Sequence, residues 1–119
     1  MAAAAPDVVF AYLFGSAATG RRKPGDVDLA VYVRDEADRH QVRLDVAQAA
    51  SKHLGTDAID VVPLNAAPVS LAGRILTSRR VLIDRQPFVR HLYESRVARS
   101  FQDFRIREHR LLERKAARG

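Results

Sequence analysis

Two continuously apolar runs stand near the start of the chain. VVFAYLF, Val8 to Phe14, and VDLAVYV, Val27 to Val33, are rich in β-branched and aromatic residues, as strands buried on both faces would be. Gly15 ends the first run, Ser16 is a candidate N-cap for a short helical turn through Gly20, and Arg21 to Gly25 reads as an exposed loop. After the second strand the period changes. Asp35 to Asp38 forms an acidic helix start, followed at helical spacing by Val42, Val46, Ala49, Ala50 and His53 or Leu54, with Gly55 as the stop. AIDVVPL, Ala58 to Leu64, predicts a third strand closed by its proline. Pro68 opens a short helix to about Leu76, and Val81 to Asp84 predicts a fourth strand. From Pro87 onward Phe88, Val89, Leu92, Tyr93, Val97, Phe101 and Phe104 lie along one helical stripe between arginines; beyond about Arg107 the apolar residues thin out, and RKAARG, Arg114 to Gly119, is expected to fray.

Alternating strands and helices predict an α/β layer structure. With 119 residues there is room for one domain and no large doubly wound sheet. Composition changes this picture little. The hydrophobic fraction of 47% and charged fraction of 29% are ordinary for a globular chain. No run approaches a membrane span, and Met1 to Pro6 lacks the basic region of a secretory signal, so a cytoplasmic protein is expected. Absence of cysteine excludes disulfides and thiolate metal sites.

Charge adds an asymmetry. Residues 1–84 hold ten Lys/Arg and ten Asp/Glu, whereas residues 85–119 hold ten and four, so the net charge of +6 belongs entirely to the last segment. A basic tail of this kind suits an acidic partner surface or a solvated helix face. It shows no aromatic-basic alternation, so direct nucleic-acid binding is not expected.

The candidate chemistry lies where the second strand begins. Side chains two apart on a strand share a face, so Asp26 and Asp28 point the same way. Like charges held together near an apolar core call for a compensating cation, and a hard divalent ion with oxygen ligands fits. Asp60, between Ile59 and Val61, sits in a matching context and completes a triad if the third strand lies beside the second. Gly15 permits close backbone approach to a phosphate, and Ser16 adds a hydroxyl donor. Arg21, Arg22 and Lys23 are more often solvated than functional, and His40, His53, His91 and His109 have no spacing that suggests a metal site.

In this order, FGS at Phe14 to Ser16, DVD at Asp26 to Asp28 and IDV at Ile59 to Val61 resemble the signature of the DNA polymerase β-like nucleotidyltransferase superfamily. The small size and the segment Val81 to Leu112 look like its minimal nucleotidyltransferases (MNT), the antitoxins paired with HEPN toxins. The resemblance implies an α/β (α+β) fold: a small mixed β-sheet flanked by helices, with a long C-terminal helix. Residues 1–84 would form the nucleotidyltransferase core and residues 85–119 a basic C-terminal helix packed on it, within one domain. It further implies that Asp26, Asp28 and Asp60 are catalytic and hold two Mg²⁺ ions, that Asp60 helps deprotonate the acceptor, and that Gly15 and Ser16 bind the triphosphate. The implied reaction transfers AMP from ATP to a tyrosine of a cognate HEPN ribonuclease toxin, within a hetero-oligomeric complex. The path from Ser16 to Asp26 is one residue shorter than the family pattern, and Gly25 stands where a serine is common. A non-catalytic antitoxin that occludes its toxin is the alternative reading.

Overall fold

The first apolar run forms β1, Val8–Phe14, and the second forms β2, Val27–Val33. They pair antiparallel, with Val8 opposite Val33 and Phe14 opposite Asp28. The computed structural model describes residues 5–15 and 27–118, so Ser16, the candidate turn after it, the Arg21–Gly25 loop and Asp26 lie outside the described residues. The remaining elements are α1 (Arg39–Leu54), β3 (Ile59–Pro63), α2 (Val69–Ser78), β4 (Arg80–Asp84) and α3 (Pro87–Arg118).

The four strands form one mixed sheet in the order β3-β2-β1-β4. β3 runs parallel to β2, whereas β4 runs antiparallel to β1. β1 and β2 are therefore the inner strands, which is why both read as nearly unbroken apolar runs. One face packs Leu29, Val31, Val33 and Val61 against Val42, Val46 and Ala50 of α1. The opposite face packs Phe10, Tyr12 and Ala30 against Ile75 of α2, with Val89 and Tyr93 of α3 alongside. Phe10 stacks on Tyr32 with ring centroids 4.8 Å apart, and Tyr93 closes over both. Phe10 and Tyr12 are fully buried, and each contributes about 2–3 kcal/mol of apolar burial.

Local chemistry sets the element ends. Asp38 is the N-cap of α1, its Oδ1 accepting from the amides of His40 and Gln41 at 3.0 and 3.2 Å. Asp35 and Glu36 thus precede the helix instead of forming its first turn. Gly55, at φ +70°, closes α1 with its amide donating to the Ser51 carbonyl. Where β3 stops at Pro63, Asn65 takes over: its side-chain amide donates to the Val33 carbonyl at 2.8 Å and its oxygen accepts from the Val33 amide at 2.9 Å.

α3 departs from the sequence expectation. It does not fray from Arg114 but continues to Arg118, 32 residues in all. Its first half is docked: Val97 is buried, and Phe101 lies so close to Gly73 of α2 that a Cβ there would meet the ring at 2.2 Å. From Gln102 onward the described side chains are exposed. That half is held by helix-compatible composition and by pairs such as His109 Nε2 with Glu113 Oε1 at 3.0 Å, one turn apart.

Candidate active site

Strand alternation fixes where the acids go. Val27 and Leu29 enter the core under α1, so Asp28 shares the other face with Ala30 and Tyr32. By the same argument Val61 faces α1 while Asp60 shares the face of Val62. The parallel register pairs Asp28 with Asp60 across β2 and β3. Two carboxylates from different strands therefore sit side by side, one strand spacing of about 4.8 Å apart along the backbone. Asp28 is half-buried and Asp60 is exposed.

Gly15 completes this corner. Directly after β1, it adopts φ +72°, a left-handed geometry in which side chains are strained. A Cβ built there would lie 2.6 Å from Asp28 Oδ2, so this backbone approaches the carboxylate more closely than any other residue type allows. The Gly15 amide donates to Ser78 Oγ, at the end of α2, over 3.4 Å.

Of the residues that the sequence singled out, Gly15, Asp28 and Asp60 come together, while Ser16 and Asp26 lie outside the described residues. Among the described residues no three of His, Cys, Asp and Glu converge as a metal cage. The fit to Mg²⁺ rests instead on the donor set. Two adjacent carboxylates at an open edge suit a hard cation that keeps the rest of its shell for water and substrate phosphate.

Behind the corner lies a polar network that sequence reasoning missed. Glu94 of α3 accepts from the Tyr12 hydroxyl at 2.6 Å, from Arg79 Nε at 2.7 Å and from Arg90 Nη1 at 3.1 Å. Arg90 Nε also forms an ion pair with Asp84 Oδ1 at 3.0 Å, outside hydrogen-bond geometry. Burial alone would raise the Glu94 carboxyl, but hydrogen bonds from Arg79 and Tyr12, together with the Arg charges, outweigh it and hold the group below its ordinary value. The Tyr12 hydroxyl is pushed above the ordinary phenol range, first by burial and then by the Glu94 carboxylate. Burial likewise pushes Tyr93 up to about 12. One signal was visible beforehand: Glu94 is the single acid between Arg85 and Gln102.

The family profile for polymerase β nucleotidyltransferases matches residues 1–88, which include β1, β2, β3 and all the candidate acids. The chain belongs to this family. Solved structures with the same fold cover nearly the whole nucleotidyltransferase. A chain from a toxin–antitoxin complex with AMP-PNP is 25% identical with a TM-score of 0.72, over 93% of this chain and 88% of that one. A chain from a tri-AMPylated Shewanella oneidensis HEPN toxin in complex with MNT antitoxin is 22% identical with a TM-score of 0.69, over 98% and 89%. A chain of the MntA–HepT toxin–antitoxin complex is 22% identical with a TM-score of 0.66, over 93% and 86%. No curated protein matches this nucleotidyltransferase. Among its described residues no helix is long and apolar enough to cross a membrane.

Proposed function

We propose that this nucleotidyltransferase is an MNT antitoxin that transfers AMP from ATP to a tyrosine of a cognate HEPN toxin and so neutralises it. The observation that carries the reading is the Asp28–Asp60 register beside the left-handed Gly15, a metal-and-phosphate corner within a nucleotidyltransferase fold. Further support comes from the fold neighbours, one of them in a complex with AMP-PNP and one in a complex with an AMPylated HEPN toxin.

In the reaction, the tyrosine oxygen forms a bond to the α-phosphorus of ATP. The bond from that phosphorus to the bridging oxygen breaks, and pyrophosphate leaves with the electron pair. Asp60, the exposed acid, would take the phenolic proton. Asp28 and Asp60, with Asp26, would hold Mg²⁺. Bound there, the cation supplies neutralisation of phosphate charge and a more acidic acceptor hydroxyl. Gly15, by letting the backbone approach closely, and Ser16, through its hydroxyl, would hold the phosphates.

The test combines purified protein, ATP, Mg²⁺ and a cognate HEPN toxin, followed by intact mass measurement of the toxin. An AMP adduct on a toxin tyrosine is expected with the wild type, and none with Asp28→Asn or Asp60→Asn. Absence of any adduct with the wild type would overturn the reading.

One observation favours the occlusion alternative. The exposed half of α3 displays Phe104, Ile106, Leu111 and Leu112 among its arginines, a surface suited to covering a partner without chemistry. Neutralisation of the toxin by the Asp28→Asn variant without nucleotide would select that alternative.

A further inference from the structure

We propose that Ser78, a residue of no recognised nucleotide-binding motif in this chain, is a positioning residue for the phosphate-binding turn at Gly15. The proposal rests on the nucleotidyltransferase reading of the site and extends it to α2.

The Gly15 backbone can lie this close to the Asp28 carboxylate only while it stays left-handed. Nothing in a glycine's own structure favours that conformation over others, so a neighbour must select it. Ser78 Oγ accepts the Gly15 amide proton across 63 residues of chain, tying the end of β1 to the end of α2. The single amide proton of Gly15 is thereby directed at Ser78, so the bond fixes the conformation of the turn and leaves phosphate contact to other donors. A hydroxyl also retains a proton of its own to donate toward an oxygen arriving at the turn.

The position of Ser78 is itself fixed. Arg79, the next residue, grips Glu94 through Nε at 2.7 Å and Nη2 at 3.1 Å. Glu94 also receives the hydroxyl of Tyr12, on the strand that leads into Gly15. β1 and the end of α2 are thus both tied to one carboxylate, and the Ser78–Gly15 bond is a further link between them.

Two binding measurements separate this role from a general structural one. In calorimetric titration with AMP-PNP and Mg²⁺, Ser78→Ala should weaken affinity by about fivefold, the effect of losing one hydrogen bond, while Ser78→Thr should keep it. Binding of Mn²⁺ alone, which reads the carboxylates, should be unchanged in Ser78→Ala, as should its melting temperature. Wild-type affinity for AMP-PNP in Ser78→Ala would overturn the proposal and leave the nucleotidyltransferase reading standing. Parallel losses of AMP-PNP binding, Mn²⁺ binding and melting temperature would overturn it in favour of a structural role. A wild-type protein that bound neither ligand would overturn the site reading and the proposal with it.

Discussion

Gly15 and Gly55 make a matched pair for testing the site. Both are left-handed, at φ +72° and +70°, but a Cβ at Gly15 meets Asp28 Oδ2 at 2.6 Å while a Cβ at Gly55 meets nothing within 4 Å. Substitution by alanine therefore carries the same backbone cost at both positions. Left-handed strain of about 1–2 kcal/mol is partly offset by a less flexible unfolded chain, leaving about 1 kcal/mol. For a domain of this size that lowers the melting temperature by about 3–6 °C. The additional contact at Gly15 involves only the terminal oxygen, since Asp28 Cγ and Cβ lie at 3.6 and 3.8 Å. The carboxylate will rotate away, so this cost falls on ligand binding and not on stability. Holding it against its preferred rotamer to bind a cation costs about 1 kcal/mol, about a fivefold loss of affinity. Melting curves and Mn²⁺ titrations of Gly15→Ala and Gly55→Ala are the assay. Equal melting shifts with weakened Mn²⁺ binding in Gly15→Ala alone are expected. If Gly15→Ala binds Mn²⁺ like Gly55→Ala, the placement of Asp28 in a metal site is refuted.

Gly73→Ala drives a methyl group into the Phe101 ring and should destabilise by about 1–3 kcal/mol in urea unfolding; Phe101→Leu in the same chain should recover part of the loss. Glu94→Gln removes the charge that joins Tyr12, Arg79 and Arg90 and should cost about 2–3 kcal/mol, discounted from a fully buried pair because the side chain is 15% exposed. The depressed Glu94 carboxyl also gives a signed pH dependence. Its contribution is complete above the ordinary value of 4.5 and is lost as pH falls through the lower folded value, so Glu94→Gln should flatten stability against pH in that acid window. A Glu94→Gln curve as steep as that of the wild type would count against this assignment.

Much of the core was legible because each apolar run had one physical meaning. An inner strand must be apolar on both faces, and Val8 to Phe14 and Val27 to Val33 are. The placement of Asp60 beside Asp28 followed once β3 was taken as the neighbour of β2, because alternation leaves an acid between Ile59 and Val61 only one face to occupy. Long-range contacts were not legible. Nothing local marks Gly73 as the bed of Phe101, or Ser78 as the acceptor of an amide 63 residues away. The last residues of α3, from Arg114, were misread as frayed because a thinning apolar stripe reports lost burial, not lost helix. Leu111, Leu112, Ala116 and Ala117 are all good helix formers, and the structure keeps them helical while most of that half faces solvent.

The long final helix also has a mechanical consequence. Its last firm bearing on the body is the seat of Phe101 on Gly73, and about 17 residues follow, a rod of about 26 Å. A tilt of about 5° at that fulcrum displaces the far end by about 2 Å, a lever ratio set by helix rise alone. The short arm carries Glu94, whose carboxylate grips both Tyr12 and Arg79. The helix that carries the exposed arm is therefore joined, through that one carboxylate, to the strand and helix ends that frame Gly15.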